Sequence, residues 1–118
     1  VSGADWILDQ VGFDALVREA ELVITAEGSL DAQSLEGKLV ARVADRARQA
    51  GIPTLALAGR VLVPGAILAR HGIAAAFALA PEPLAEADAI TRAAEHLARG
   101  AEHLVRVWTT ARSAARLP

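Results

Sequence analysis

The sequence LVITAEGSLDAQSLEGK, residues 22–38, joins a short apolar segment to a polar loop. Its first four residues are aliphatic or β-branched, which is typical of a strand buried on both faces of a parallel sheet. We predict that the polar loop begins at Ala26 and runs to Lys38, the only lysine in the chain. Because open α/β sheets bind ligands at the carboxyl ends of their strands, this loop is the leading candidate for a functional site.

Similar segments along the rest of the chain predict an alternating order of helices and strands. Two short helices are expected before the first strand, and a helix after the loop should end at Gly51. Then come a strand, a short helix, a strand and a long helix, at residues 54–58, 64–71, 73–79 and 84–111. This order predicts one α/β domain, residues 1–118, with a short parallel sheet, helices on its faces and a long C-terminal helix.

The composition argues against several functional classes. A formal net charge of -2 and a pI near 5.9 give no basic surface for nucleic acid. The absence of cysteine excludes disulfides and thiolate metal sites. No segment reaches the roughly 20 apolar residues of a bilayer span, so we expect a cytoplasmic protein without a membrane partner. The chain begins with valine, and we expect it to be a fragment of a longer protein.

The polar loop contains the residue types that bind phosphate groups. Glycines let backbone N–H groups approach a phosphate, an ammonium group balances its charge, and carboxylates bind magnesium or accept a proton. The candidates are Glu27, Gly28, Ser29, Asp31, Gln33, Ser34, Gly37 and Lys38. The spacing of the glycines does not match a Walker A loop, and Leu39 replaces its magnesium-binding hydroxyl. A solvated loop in which Asp31 or Ser34 caps a helical turn remains an equal alternative.

Two further sets of residues are candidate sites. Arg60 follows the second predicted strand and faces the same edge of the sheet as the loop, so it either binds a phosphate or carboxylate or is a solvated arginine. His96 and His103 lie two helical turns apart, roughly 10 Å, which is too far to share one metal ion. We expect these histidines on a solvated helix face.

The order of residues in the loop resembles a known family signature. Residues 25–38, TAEGSLDAQSLEGK, resemble the T-G-E-G-x-[LIF]-D-x-Q-[ST]-x-x-G-K motif of the type 1 glycerate kinase family. Further similarity lies in the segments Ile52-Pro53, Leu57-Ala58-Gly59 and Val105-Arg106-Val107-Trp108. The chain resembles the C-terminal third of such a kinase, and most closely its actinobacterial forms.

The resemblance implies an ATP-dependent kinase of two α/β domains that phosphorylates glycerate, in many members to 2-phosphoglycerate. Magnesium and ATP would be its cofactors, and the missing N-terminal portion would complete the cleft. As a hypothesis, Asp31 orients or deprotonates the hydroxyl, Glu27 binds magnesium, and Lys38 binds the phosphates or the glycerate carboxylate; Glu27 and Asp31 could exchange roles. The resemblance places Gly28, Gln33, Ser34 and Gly37 in the same cleft.

Two positions depart from the family pattern. Ala26 replaces a glycine, so backbone strain is expected there if that position needs a positive φ angle. Arg60 replaces a small or amide residue and would either crowd the cleft or add a phosphate contact. Two other functions stay open: a non-catalytic α/β fragment, and a small-ligand regulatory module of the receiver type. The receiver type is disfavoured because no aspartate ends the second strand.

Overall fold

The computed structural model describes residues 2–79 and 91–115. It divides into two units, residues 1–78 and 79–118. The first unit contains the helices α1 (Gly3–Gln10), α2 (Phe13–Arg18), α3 (Leu39–Gln49) and α4 (Gly65–Arg70), and the strands β1 (Val23–Leu30), β2 (Thr54–Val61) and β3 (Ile73–Ala78). The second contains the helix α5 (Ala93–Ala115). Among the described helices, none combines the length and apolar character needed to cross a membrane.

The three strands form one parallel sheet in the order β1-β2-β3. Each crossover contains a helix, α3 between the first two strands and α4 between the last two. The α/β fold with a short parallel sheet and a long C-terminal helix is therefore confirmed. The predicted start of the long helix, residues 84–90, lies outside the described residues, and α5 ends four residues later than predicted, at Ala115.

Two strands are longer than the sequence predicts. β1 continues through Glu27, Gly28 and Ser29, which were predicted to lie in the loop, and β2 continues through Arg60. The prediction that the loop begins at Ala26 is therefore wrong. Glycine, serine and glutamate have low β propensity, but pairing with a neighbouring strand satisfies their backbone groups whatever their propensity.

The core of the first unit lies between the sheet and its crossover helices. The α3 helix buries Val40, Val43, Ala44 and Ala47 on one side, as the helical spacing in its sequence predicts. It ends at Gly51, whose φ of 77° provides the left-handed conformation that terminates many helices. The central cluster combines Leu30, Leu35, Val40, Ala44, Ala56, Ala58, Val63, Leu68 and Ile73. Leu30 is 0% exposed and thus anchors the end of β1 immediately before the candidate loop.

Ion pairs connect the two N-terminal helices to α3. Arg42 Nε lies 2.9 Å from Asp5 Oδ1, and Arg46 pairs with Asp5, Asp9 and Asp14 at 3.1, 2.7 and 3.4 Å. We call these five residues the N-terminal ion-pair cluster. Hydrogen bonds, above all from Arg42, lower the pKa of Asp5. The cluster fixes α1 and α2 against α3 through charges that satisfy one another.

The two histidines of α5 differ in exposure. His103 is exposed, but His96 is only 5% exposed, so the prediction of a solvated face for both histidines is wrong for His96. Residues seven positions apart, such as His96 and His103, do not lie on exactly the same line along an α-helix, because the helical period is 3.6 residues. The burial of two such residues can therefore differ. Within residues 2–79 and 91–115, no three histidine, aspartate or glutamate side chains are grouped to hold a metal ion.

Candidate active site

The carboxyl ends of β1 and β2 extend beyond the third strand. β3 ends at Ala78, which pairs with Ala58, whereas β1 and β2 continue to pair through Ser29 with Arg60 and Leu30 with Val61. We call this extension, residues 29–30 with 60–61, the two-strand projection. It places Arg60 directly opposite Ser29, and Asp31 follows at its end. The expectation that Arg60 lies at the same edge of the sheet as the loop is therefore confirmed.

A hydrogen-bonded turn follows the projection. The Ser34 backbone N–H donates to Asp31 Oδ1 at 2.9 Å, and the Ser34 hydroxyl lies 2.9 Å from the Ser29 carbonyl oxygen and 3.1 Å from Asp31 Oδ1. Ser34 is 4% exposed, so its hydroxyl is a buried connection between the strand end and the turn. Asp31 therefore caps a turn, as the alternative interpretation of the loop proposed, and this turn also fixes the position of its carboxylate.

The turn keeps Asp31 ionised. Hydrogen bonds from the backbone and then the side chain of Ser34 lower the pKa of Asp31 below its ordinary value, and the positive charge of Lys38 acts in the same direction. Donors that face a carboxylate stabilise its charged form. Asp31 is thus a fixed negative charge at neutral pH and a weak proton acceptor.

The loop reaches α3 through Gly37 and Lys38. Gly37 has a φ of 81°, a left-handed conformation that favours glycine. Lys38 occupies the N-cap position of α3 in an extended conformation, without a side-chain capping bond. A lysine in the first turn gains nothing from the helix dipole, which favours negative charge there. Helix stability therefore does not explain a lysine at this position.

Three charged side chains at this edge form no hydrogen bond or ion pair within the described part of the chain. These are the side chains of Glu27, Lys38 and Arg60, of which Lys38 acts on Asp31 through its charge without forming an ion pair. Lys38 and Arg60 are exposed and Glu27 is half-buried. Gln33 is exposed as well, and Gly28 lies in the exposed part of β1. The predicted residues thus share one end of the sheet, and several of them are free to contact a ligand.

Residues 1–109 match the model of the glycerate kinase family. The chain belongs to this family. It is 36% identical over 95 residues to a glycerate kinase of Bacillus subtilis strain 168, covering 80% of this chain and 25% of the relative. It is 33% identical over 109 residues to a glycerate kinase of Bacillus cereus, covering 92% of this chain and 29% of that one.

A glycerate 2-kinase of Escherichia coli K12 is 31% identical over 78 residues, covering 66% of this chain and 20% of the relative. A crystal structure from Salmonella typhimurium LT2, of a protein provisionally assigned as glycerate kinase 2, superposes with a TM-score of 0.69 at 26% identity. The superposition covers 96% of this chain and 28% of that one. The chain therefore spans roughly a quarter of the length of the glycerate kinases that it matches, and the family resemblance of its loop is confirmed.

Neither departure from the glycerate kinase motif disturbs the backbone. All positive φ angles among the described residues belong to glycines, so Ala26 is not strained. Ala26 lies within β1 and pairs with Leu57 in the sheet. Alanine is compatible with this extended position because the left-handed conformation is not required there. Arg60 pairs in the sheet through its backbone and places a cation at the same edge as Lys38.

Magnesium suits the donor atoms of this glycerate kinase loop. Glu27 and Asp31 provide carboxylate oxygens, and Asp31 is held in its ionised form. Magnesium prefers hard oxygen ligands and usually combines one or two carboxylates with waters and substrate phosphates. A third protein ligand is not needed, which is consistent with the absence of a three-residue metal cluster in the described residues.

One glycine of this region was missed as a functional candidate. The sequence predicts that β2 ends at residue 58, but Gly59 lies inside the strand, and a Cβ atom there would lie 2.7 Å from the Gly28 carbonyl oxygen. A glycine within a strand often marks the close approach of another backbone. A glycine inside a strand is visible in the sequence only when β2 is predicted to continue past residue 58.

Proposed function

We propose that this chain forms one wall of the active site of a glycerate kinase. The enzyme transfers the γ-phosphoryl group of ATP to a hydroxyl of glycerate, and the 2-hydroxyl is the preferred acceptor. The reaction takes place in the cytoplasm. The observation that carries the proposal is the fixed Asp31 carboxylate at the same end of the sheet as the side chains of Glu27, Lys38 and Arg60, which form no ion pair, in a chain of this family. The E. coli glycerate 2-kinase supports the choice of hydroxyl.

The proposal includes the role of this chain within a longer protein. Residues 1–118 serve as the C-terminal α/β domain of a two-domain kinase, and the remaining polypeptide supplies the other side of the cleft. The relatives are about four times as long as the part of them that this chain matches, which supports this arrangement. The chain alone would then be inactive, because transfer between two small substrates requires both to be held in line.

Phosphoryl transfer requires positive charge near the phosphate oxygens and an acceptor hydroxyl held in line. Lys38 carries an ammonium group at the start of α3 with no internal partner in the described residues, and it binds the phosphates or the glycerate carboxylate. Arg60 presents a planar group that binds two oxygens at once, which suits either anion. Ser29, Gln33 and the backbone at Gly28 and Gly37 provide polar contacts beside these cations.

Asp31 orients the acceptor hydroxyl. Its lowered pKa makes it a poor general base, because an efficient base has a pKa near the working pH. Phosphoryl transfer has a loose transition state and needs little base strength before the new bond forms. A carboxylate fixed by Ser34 instead accepts a hydrogen bond from the hydroxyl and fixes its direction.

Magnesium would neutralise negative charge on the phosphate oxygens of ATP, with Asp31 as a direct ligand and Glu27 as a ligand through water, because the Cα atoms of the two residues lie roughly 13 Å apart along the extended strand. Glu27 suits this role because its side chain forms no hydrogen bond or ion pair with the described residues. Asp31 contributes a permanently ionised oxygen. Asp31→Asn is therefore expected to raise the magnesium concentration needed for half-maximal activity, in addition to lowering turnover.

A coupled assay of ADP release, with glycerate and Mg-ATP, tests the proposal on the natural polypeptide that contains this chain. We expect glycerate-dependent turnover, and we expect Lys38→Met and Asp31→Asn each to lower kcat/KM by about a hundredfold or more. Phosphorus NMR of the product identifies the phosphorylated hydroxyl. Turnover within a few-fold of wild type in both variants would show that the roles are assigned incorrectly.

A non-catalytic, ligand-binding role is the second candidate for the chain on its own. This role is favoured because the chain matches only about a quarter of the length of each relative. The same assay on the 118-residue chain separates the two. Turnover by the short chain would contradict the two-domain proposal, and a folded natural polypeptide without any turnover would favour the ligand-binding role.

A further inference from the structure

Gly59 lies at the point where β1 and β2 begin to extend beyond the third strand. It falls between Ala58, which pairs with Glu27, and Arg60, which pairs with Ser29. A Cβ atom at Gly59 would lie 2.7 Å from the Gly28 carbonyl oxygen, closer than real Cβ contacts occur. The obstacle is a backbone atom, which cannot rotate away as a side chain can. Gly59 therefore sets how closely the two strands approach.

The contacts that form the candidate site begin just after the close approach of Gly59 to Gly28. Beyond Gly28, the strands pair through Ser29 and Leu30, and the Leu62 N–H donates to the Leu30 carbonyl at 2.9 Å. The Ser29 carbonyl accepts the bond from the Ser34 hydroxyl that fixes the turn of Asp31. A shift of the Gly28 peptide would therefore displace Ser29, and with it the Asp31 carboxylate.

We propose that Gly59 is a positioning residue for phosphoryl transfer, and this inference rests on the proposed function. The absence of its side chain holds the Gly28 peptide close to β2 and so fixes Asp31 relative to Arg60. An alanine would have to move the carbonyl by roughly 0.7 Å or more, from 2.7 Å to about 3.4 Å, to restore an ordinary contact. Displacements of about 1 Å at a reacting centre lower rates by up to about a hundredfold.

Gly59→Ala in the natural polypeptide tests this inference. We expect kcat for glycerate to fall about tenfold or more, with KM for Mg-ATP within about threefold of wild type, because alignment is lost while most binding contacts remain. The first control is Gly65→Ala, since a Cβ at Gly65 would meet nothing within 4 Å and this residue is outside the site. Its kcat should equal that of wild type.

A second control separates positioning from general loss of stability. Ile73→Val removes a methyl group from a fully buried residue at the opposite end of the sheet, where Ile73 pairs with Thr54. It should lower the melting temperature while leaving kcat within twofold of wild type. If Ile73→Val lowers kcat as much as Gly59→Ala does at a similar melting temperature, Gly59 has only a structural role.

Hydrogen exchange provides a measurement that does not depend on catalysis. Gly59→Ala should increase exchange at the Ser34 amide, which donates to Asp31, and leave the buried face of α3 unchanged. This outcome supports positioning even if the natural polypeptide does not phosphorylate glycerate, a result that would overturn only the proposed function. Unchanged Ser34 exchange, or a kcat within twofold of wild type in an active enzyme, would overturn the role of Gly59.

Discussion

The N-terminal ion-pair cluster and the loop after β1 are both rich in charged residues, but they use charge differently. In the cluster, Arg46 contacts three aspartates and Arg42 contacts Asp5. At the ends of β1 and β2 and in the loop, the described structure leaves the side chains of Glu27, Lys38 and Arg60 without an ion pair. Charges that satisfy one another hold helices together, whereas charges without a partner are available to a substrate.

Asp5 and Asp31 show the difference between the two regions most clearly. Both have a lowered pKa, but the main cause at Asp5 is a hydrogen bond from Arg42, and at Asp31 it is hydrogen bonding from Ser34. An arginine cancels the charge of its partner, while a serine fixes a carboxylate and leaves its negative charge in place. The loop thus retains a net negative centre that can act on a cation or a hydroxyl.

The largest stability effect is expected at Ser34, the buried residue that holds the loop together. Ser34→Ala leaves the Ser29 carbonyl and the Asp31 N–H without the Ser34 hydroxyl, which should lower the free energy of unfolding by about 1–3 kcal/mol. It should also lower kcat, because Asp31 loses its fixed position. Urea denaturation and steady-state kinetics measure both effects. The exposed Ser113→Ala is the control, and equal stability of the two variants would contradict the role of Ser34.

The next stability effect is expected in the N-terminal ion-pair cluster. Arg46 is only 13% exposed at its side chain, so Arg46→Met removes several ion pairs but keeps an apolar stem of similar length. The melting temperature should fall by roughly 2–4 °C. Arg99→Met, which removes an exposed pair with Glu95 on α5, should change it by less than about 1 °C. Calorimetry that finds the same decrease for both variants would show that the cluster is no more important than a surface pair.

The acid dependence of stability follows from the two lowered pKa values. As pH falls below about 4, the unfolded state takes up protons on its aspartates before the folded state does, so stability is lost in this range and is fully present above about pH 5. Asp5→Asn should therefore reduce the loss of melting temperature between pH 5 and pH 2.5. Glu36→Gln, at an exposed loop residue, is the control. An unchanged acid dependence in Asp5→Asn would contradict the lowered pKa of Asp5.

The last prediction concerns Thr54, which belongs to neither charged region and whose replacement should be stabilising. Its hydroxyl oxygen is fully buried and has no hydrogen-bond partner in the described structure. Thr54→Val keeps the shape and removes this unsatisfied group, so the free energy of unfolding should increase by about 0.5–1 kcal/mol. Activity should not change. A loss of stability in urea denaturation would show that the hydroxyl has a partner after all.

The sequence predicts the fold well because its helices and strands have clear periodic patterns. α3 was predicted from the spacing of Val40, Val43, Ala44 and Ala47, and its end from Gly51. The extension of β1 through Gly28 and Ser29 could not be predicted, because it depends on pairing with β2 rather than on local propensity. The family motif identified the loop residues, but the hydrogen bonds that fix Asp31 appear only in three dimensions.

The ion pairs of Arg46 with Asp5 and Asp9 connect residues 41 and 37 positions apart. No local pattern predicts which of the many charged residues of the chain will pair over such distances. The same limit applies to His96, whose sequence environment resembles that of the exposed His103 although its burial differs. Sequence patterns therefore indicate which residues are charged but not which of those charges remain free.

The most direct test compares Lys38→Met with Arg46→Met in the natural polypeptide that contains this chain. The measurement is glycerate-dependent kcat/KM at a temperature well below both melting transitions. We predict a loss of about a hundredfold or more for Lys38→Met, with an unchanged melting temperature, and a value within about twofold of wild type for Arg46→Met. Equal losses in the two variants, or full activity of Lys38→Met, would contradict the assignment of the free charges to the substrate.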